Sequence, residues 1–286
     1  MPRLHTTRRA VLATVPLSGL ALAGVLGLTA RATSGATQAP PRGYYLALGD
    51  SFAYGFQPGK PHMAPASVFH TGYVDVVAAR LRTLSPSLQV VNYGCPGEST
   101  RTFVVGGCPS RRDVRLHRSY KGAQLDAALS FLRAHPGDVS PVTLTLYGND
   151  WLPVLRNTCG GSVACARTHA PSETKAFAAR LTAILRRIRA AAPHAEIIVT
   201  GAWNPDPNSL QQLRAVYRSF EAAIAGAAAG SHAKIARMLP VLNPRGSLQA
   251  ERARLCTLTF ICSEGDPHPT DAGYRAIADA VMRASR

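Results

Sequence analysis

Two hydrophobic patterns alternate along the chain: short continuous apolar runs, and longer segments in which apolar residues recur every three or four positions. The continuous runs predict five strands, at 44–49, 88–94, 142–150, 195–201 and 233–242, and the third of these runs into a loop at its C-terminal end. The longer segments predict five helices, at 73–84, 122–137, 171–194, 209–229 and 270–284. Ser172 and Thr270 have side chains that suit the N-caps of two of these helices. A long loop rich in Gly, Cys and Arg is predicted over 94–119.

Apolar strands that alternate with helices are typical of a parallel sheet covered by helices on both faces. We therefore predict a three-layer α/β/α fold with a mainly five-stranded parallel sheet. Ligands of such sheets bind at the carboxyl ends of the strands, so the residues that follow the first three strands should converge in space. The chain shows no internal repeat, and we predict a single domain over residues 44–286.

The N-terminal residues 1–36 have the pattern of an export signal. A basic start is followed by an apolar stretch and by alanines at 30 and 32, as in secretory signal peptides. The Arg8-Arg9 pair resembles a twin-arginine signal. An uncleaved membrane anchor is the alternative, but proline and glycines interrupt the apolar stretch. We predict cleavage near Ala32 or Ala36, a linker over 37–43 and a secreted protein.

Composition and charge narrow the classes of partner. Hydrophobic residues make up 46% of the chain and charged residues 17%, which is enough for a large core and argues against disorder. The net charge is +16, mostly from arginine. A solvated basic surface is the simplest interpretation, and peripheral contact with anionic membranes or acidic polymers is the alternative. No basic-aromatic nucleic-acid-binding module is present, so we predict no nucleic-acid partner.

Six cysteines agree with an oxidising compartment, where disulfides persist. Six cysteines permit 15 connectivities, and the sequence alone does not select one. Local pairing is the economical choice, because each bond then closes a short loop: Cys95–Cys108, Cys159–Cys165 and Cys256–Cys262. A metal site is the weaker alternative, since neither C-x-x-C nor H-x-x-x-H spacing occurs.

Chemically useful groups follow three predicted strands and precede the last helix. Ser51 ends "GDS" after the first strand, Gly97 lies in "CPGEST" after the second, and Asn149 lies in "YGND" after the third. His268 lies in "DPHP", just before the final helix. A serine hydroxyl becomes a nucleophile when an imidazole takes its proton. The alternative for an isolated Ser51 is a simple helix N-cap.

The remaining groups match the other needs of acyl transfer. The tetrahedral intermediate carries a negative oxygen that requires donors held in place beforehand. The backbone N–H groups of Ser51 and Gly97 and the side-chain amide of Asn149 can supply them. Gly97 as a turn residue and Asn149 as part of a strand-ending turn are the simpler interpretations.

These four blocks, in this order, resemble the SGNH or GDSL-type hydrolases over nearly the whole chain from Tyr44 onward. The three cysteine pairs are also similar to those of secreted bacterial esterases and lipases in that family. The resemblance implies a flavodoxin-like α/β/α fold, hydrolysis of carboxylic esters, and neither metal nor cofactor.

The chain departs from the family pattern at two positions. Tyr147 stands where the family usually has glycine, and its ring can narrow the pocket or tilt the Asn149 loop. The family aspartate usually lies three residues before the histidine, where this chain has Gly265. We expect Asp266 to orient His268, with Glu264 or a backbone carbonyl as alternatives.

We therefore predict a secreted serine esterase or lipase, a monomer, in which Ser51, His268 and Asp266 are catalytic. A non-catalytic glycan- or lipid-binding module with a decayed site, or an acyltransferase that uses the same residues, are the competing hypotheses. Substrates can be small esters, lipids or acetylated polysaccharide.

The sequence also suggests which residues surround the site. We expect the loops at 56–70 and 101–119 to shape the pocket, because both lie near the ends of the first two strands. The pocket-wall candidates are aromatic: Phe52, Tyr54, Tyr147 and Trp203, although packing at a loop edge is the simpler interpretation for Trp203. The eight other histidines, including His117, are predicted to lie on the surface.

Overall fold

A computed structural model describes residues 41–286, and its centre is a five-stranded parallel sheet. The strands are ordered β2-β1-β3-β4-β5. Their bounds are β1 Tyr44–Gly49, β2 Gln89–Asn92, β3 Val139–Thr145, β4 Ile197–Thr200 and β5 Lys234–Ala236. The predicted α/β fold with a parallel sheet is confirmed.

Helices connect the strands and continue beyond the last one. The longer helices of the described residues are α2 Tyr73–Arg82, α4 Gln124–Ala134, α6 Val163–Ala191, α7 Arg214–Ala229, α9 Leu248–Leu258 and α11 Asp271–Ala284. The shorter ones are α1 Ser51–Tyr54, α3 Thr102–Val105, α5 Gly148–Pro153, α8 Leu239–Leu242 and α10 Ile261–Glu264. A 3-10 helix covers Ala66–Phe69, and a π-helical turn covers Val154–Thr158. None of the helices in residues 41–286 has both the length and the apolarity needed to cross a membrane.

Side chains of β1 alternate between two hydrophobic cores. Leu46 and Leu48 pack into the core formed with α4, α6 and α7. Tyr45 and Ala47 pack into the core formed with α2 and α11. All four side chains are fully buried. The apolar run of β1 therefore reflects burial on both faces, as a central parallel strand requires.

The helix predicted over 171–194, with Ser172 as its N-cap, begins nearly three turns earlier, at Val163, so this predicted start was wrong. The N-cap of α6 is Ser162, whose hydroxyl accepts from the N–H of Cys165. Ser172 lies inside the helix and donates to the carbonyl of His169. Buried Ala166 and Ala170 extend the apolar stripe of the helix toward its N-terminus, so packing there outweighs the helix-breaking tendency of Pro171.

Two predictions near the C-terminus were also wrong. The strand over 233–242 is only three residues long, and Pro240 lies at the start of α8, where a proline is tolerated. The helix expected from residue 209 begins only at Arg214. The sequence did not predict α9, because its apolar residues form no clear stripe. In the structure, its buried side chains include the charged residue Glu251.

Three disulfides join Cys95 to Cys108, Cys159 to Cys165 and Cys256 to Cys262. Each bond closes a local loop. The predicted signal peptide and most of the predicted linker lie outside the described residues, so the proposed division of the chain stays a prediction.

Candidate active site

The turn after β1 places Ser51 at the carboxyl end of the sheet. Gly49 has φ 125°, and a Cβ at this position would collide with the carbonyl oxygen of Thr145 on β3. Only glycine allows the two strands to approach in this way. The Asp50 N–H donates to the same Thr145 carbonyl, and Oδ1 of the Asp50 carboxyl group caps α1 by accepting from the N–H of Phe52. Asp50 is therefore the N-cap, and the Ser51 hydroxyl is left to other contacts.

Ser51, His268 and Asp266 form a continuous hydrogen-bonded chain. The Ser51 Oγ lies 2.8 Å from His268 Nε2. His268 Nδ1 lies 2.6 Å from Asp266 Oδ1. Burial favours a raised pKa for Asp266, but the hydrogen bonds and charge of His268 outweigh burial and lower it. Asp266 is thus held as the carboxylate, which suits a partner for an imidazole that gains a proton.

The loop that carries His268 is tied to the end of α9. The carbonyl of His268 accepts from the N–H of Phe260 at 3.0 Å, and the Thr270 N–H donates to Leu258. The backbone N–H of His268 also donates to Asp266 Oδ1 at 2.8 Å, which folds the loop so that aspartate and histidine are neighbours. The imidazole ring packs against Phe56, with ring centroids 4.6 Å apart. These contacts fix both the position and the orientation of the imidazole.

The predicted oxyanion donors lie near one another, with one difference from expectation. Asn149 belongs to the first turn of α5 rather than to a loop, and its amide nitrogen donates to the carbonyl of Glu98 at 2.9 Å. This bond connects Asn149 to the turn that contains Gly97, whose φ is 83°. Within residues 41–286, the backbone N–H groups of Ser51 and Gly97 donate to no protein acceptor. No other protein group of the described residues therefore occupies either N–H.

A cavity of about 380 Å³ opens above this group. Ser51, Asn149, Asp266 and His268 line it, whereas Gly97 does not. Apolar side chains form most of the wall, among them Phe52, Leu152, Trp203, Met238 and Ile277. This size and character are typical of small-ligand sites in proteins.

Several predictions about the surroundings were wrong. Neither 56–70 nor 101–119 contributes to the cavity wall. These loops pack on each other instead, as in the hydrogen bond from Met63 to Asp113. Tyr54 is buried against Phe69 and does not reach the cavity. His117 is half-buried and bonded to the Tyr54 carbonyl, and burial lowers its pKa to about 4.

A buried polar network beneath the site was missed by sequence reasoning. Gln124 accepts from the N–H of Gly49 and donates both to the Gly49 carbonyl and to the Glu98 carboxyl. Tyr120 also contacts Glu98. Burial raises the pKa of Glu98 to about 7. The sequence offered one sign of this network, because the polar Gln124 lies on the apolar stripe of the helix predicted over 122–137.

Cys159, Cys165 and His169 form the one group of potential metal ligands among the described residues. Both sulfur atoms are joined in a disulfide, so neither is a thiolate that can bind a metal. This group is therefore structural.

The sequence profile of the GDSL-like Lipase/Acylhydrolase family matches residues 47–276. The chain belongs to this family. Membership identifies an ester hydrolase at the level of the family, and the matched residues include all four of the motif blocks singled out above. No curated protein matches the chain at a significant level.

Solved structures of this fold are similar at low sequence identity. Acetylxylan esterase from Geobacillus stearothermophilus shares 16% identity with a TM-score of 0.54, covering 87% of this chain and 96% of its own. Phospholipase A1 from Streptomyces albidoflavus NA297 shares 17% identity with a TM-score of 0.59, covering 86% and 100%. LAE5, a hydrolase from the metagenome of Lake Arreo, shares 18% identity with a TM-score of 0.53, covering 87% and 97%. These similarities establish the fold.

Proposed function

We propose that this protein is a secreted serine hydrolase that cleaves carboxylic esters through an acyl-enzyme. The observation that carries the proposal is the 2.8 Å contact between Ser51 Oγ and His268 Nε2, at the floor of an apolar cavity. A serine and imidazole within hydrogen-bond reach, with the imidazole oriented by a carboxylate, are the parts that nucleophilic catalysis needs.

In the proposed reaction, Ser51 Oγ attacks the ester carbonyl carbon while His268 Nε2 takes its proton. The resulting imidazolium is stabilised by the Asp266 carboxylate on Nδ1. His268 then gives the proton to the leaving alcohol, and the acyl group stays on Ser51. A water molecule, deprotonated by His268, attacks this acyl-enzyme, and the acid product leaves with Ser51 restored.

The negative oxygen of each tetrahedral intermediate is bound by donors that exist before the substrate arrives. We assign the N–H groups of Ser51 and Gly97 and the amide of Asn149 to this task. The Ser51 N–H lies at the start of α1 and has no acceptor within the helix. Loss of one such donor typically costs about 3 kcal/mol of barrier stabilisation.

Secretion is part of the proposal and has its own support. Three disulfides and the absence of free cysteine in the described residues suit an oxidising compartment, in line with the signal pattern of the N-terminal sequence. We propose a monomer that acts on small, lipid or polysaccharide esters. The similar folds of an acetylxylan esterase and a phospholipase A1 do not select between these substrates.

The test is to measure Ser51→Ala and His268→Ala on a short p-nitrophenyl ester, with Ser67→Ala as the control on an exposed serine. We expect each active-site variant to lose at least about a thousandfold in kcat/KM and the control to lose nothing. Wild-type turnover in either active-site variant contradicts the mechanism.

Labelling by a fluorophosphonate tests the competing hypotheses. A Ser51 adduct in the folded protein supports the nucleophile, and no adduct supports a decayed binding site. Product analysis with a competing alcohol separates hydrolysis from acyl transfer, because a transferase passes the acyl group to the added alcohol.

A further inference from the structure

Besides the proposed general base His268, the cavity that contains Ser51 has one basic side chain in a largely apolar wall. Among the residues that line it, Arg156 is the only arginine or lysine. Two carboxyl groups, Asp50 and Asp266, also belong to the lining, but Asp50 caps α1 and Asp266 binds His268. Neither of these two carboxyl groups forms an ion pair with the Arg156 guanidinium.

Among the described residues, Arg156 is one of several exposed arginines without a polar partner, in contrast to the partly buried Arg180 and Arg214. Arg180 is paired with Asp150, and Arg214 with Glu251. Within residues 41–286, the Arg156 side chain makes neither an ion pair nor a hydrogen bond with another protein group. A guanidinium has five donors that match the oxygens of a carboxylate or a phosphate.

The backbone around Arg156 is held firmly at the cavity edge. It lies in the π-helical turn Val154–Thr158, which the Cys159 N–H closes by donating to the Val154 carbonyl at 2.9 Å. The disulfide from Cys159 to Cys165 anchors the end of this turn, and Leu155 is buried beside Arg156. Such π turns occur often at functional sites, because they change the direction in which side chains point.

The position of Arg156 relative to the reacting groups is also informative. Burial and then His268 have the largest effects on the pKa of Asp266, and the charge of Arg156 lowers it further. Arg156, Asp266 and His268 all line this cavity, so the guanidinium shares its space with the proposed reacting groups. Asn157 lines the cavity next to it and offers a further hydrogen-bonding side chain.

We propose that Arg156 is a specificity-determining residue that binds an anionic oxygen group on the substrate, so that the preferred substrates are negatively charged esters. The apolar wall would hold the uncharged part of such an ester, and the guanidinium would pair with its carboxylate or phosphate group. This inference rests on the proposed ester hydrolysis and adds the charge class of the substrate.

The test measures kcat/KM of variant and wild type on pairs of esters that differ in charge. Variant and wild type are compared on the same ester, so the intrinsic reactivity of that ester cancels. One pair places the charge in the acyl part: p-nitrophenyl butyrate and mono-p-nitrophenyl succinate. A second pair places it in the alcohol part: phenyl acetate and 4-acetoxybenzoate. The variants are Arg156→Gln and Arg156→Lys, with Arg252→Gln on the exposed surface of α9 as a control of equal charge change.

We expect Arg156→Gln to lower kcat/KM for the charged ester of at least one pair about tenfold more than for its neutral partner. The responding pair identifies the side of the ester that carries the charge. Arg156→Lys should lose less, because it keeps the charge but not the planar fork, and Arg252→Gln should change neither ratio. Melting temperatures within a few degrees of wild type exclude misfolding as the cause.

Other outcomes overturn the inference. Equal losses on charged and neutral esters mean that Arg156 acts through Asp266 or through folding, while hydrolysis itself stands. Equal effects of Arg252→Gln mean that the overall positive charge of the molecule attracts anions, without a local site. Wild-type protein that cleaves none of the four esters overturns the proposed function, and this inference with it.

Discussion

At the scale of single residues, the Asp50 carboxyl lies beside the proposed nucleophile and is almost completely buried, with 5% of its surface exposed. Burial raises its pKa from 3.8 to about 8, against the opposing effect of the hydrogen bond from Phe52. The folded protein thus holds a proton that the unfolded chain releases near pH 4. The contribution of this proton to the free energy of unfolding is fully present below pH 4 and is lost as the pH rises toward 8.

Asp50→Asn removes this titration and keeps a residue that caps helices well. We expect the melting temperature of the variant, relative to wild type, to rise by about 3 °C or more between pH 4.5 and pH 8. Thermal unfolding followed by circular dichroism at several pH values measures the difference. Asp113→Asn, on an exposed side chain, should show a constant difference. The same constant difference in Asp50→Asn would contradict a buried protonated carboxyl.

Tyr147, which replaces the glycine that the family usually has, belongs to an aromatic cluster as well as to the cavity lining. Its ring contacts Phe220 at a centroid distance of 5.2 Å and also meets Phe177 and Tyr217 in edge-to-face geometry. The ring thus fills core space behind the site. This packing explains how the chain accommodates a bulky residue there.

We expect Tyr147→Ala to lower the free energy of unfolding by about 3–5 kcal/mol, because truncation of a buried aromatic side chain leaves a cavity. Tyr147→Phe keeps the ring and should lie within about 1 kcal/mol of wild type. Urea unfolding measures both. An alanine variant as stable as the phenylalanine variant would show that the ring has no packing role.

At the scale of elements, Gln124 at the start of α4 connects parts of the chain that the site needs together. Its side chain holds both backbone groups of Gly49 at the end of β1, and it also binds Glu98 in the turn beyond β2. The Glu98 carbonyl in turn accepts from Asn149 on α5. One helix therefore positions Ser51 relative to the proposed oxyanion donors, without contacting the substrate.

Gln124→Leu preserves approximate volume and removes these bonds. We expect kcat to fall about tenfold with KM nearly unchanged, because donor placement affects the transition state more than binding. Steady-state kinetics on a neutral ester, at a temperature where the variant is fully folded, makes the measurement. Gln211→Leu on an exposed turn is the control. If stability falls but kcat does not, Gln124 is only structural.

At the scale of the whole molecule, each disulfide lies next to a segment of the candidate site. Cys95 precedes Gly97 by two residues, and Cys262 precedes Asp266 by four. Cys159 ends the π-helical turn that contains Arg156. The bonds thus constrain the backbone of the segments that carry Gly97, Arg156 and Asp266.

Two of the bonds form a matched pair, because both join cysteines six positions apart. Replacing either pair by serines should cost a similar stability, on the order of 2 kcal/mol. Loss of Cys256–Cys262 should lower kcat/KM on a neutral ester severalfold more than loss of Cys159–Cys165, since the former bond supports the His268 loop. Melting curves and kcat/KM for both double variants make the comparison. Equal activities would mean that the hydrogen bonds of the loop hold His268 without the disulfide.

Much of this protein followed from its sequence alone. Alternating apolar runs and amphipathic segments determined a parallel α/β fold, because strands buried on both faces have no polar side. Ser51, Gly97, Asn149 and His268 could be selected because strand ends of such a sheet meet at one edge, where family motifs also matched. The cap of α11 at Thr270 was equally local, since a side chain and a nearby N–H decide it.

Only the tertiary structure decided what depends on contacts between distant residues. The early start of α6 rests on packing of Ala166 and Ala170 against the core, which overrides a local proline signal. The cavity wall comes from the ends of β1, β3 and β4, from α5 and the π-helical turn after it, and from the last loop. No local pattern indicates which of these segments face each other. Gln124 acquires its role from Gly49 and Glu98, which are distant in sequence and meet it only when the chain packs.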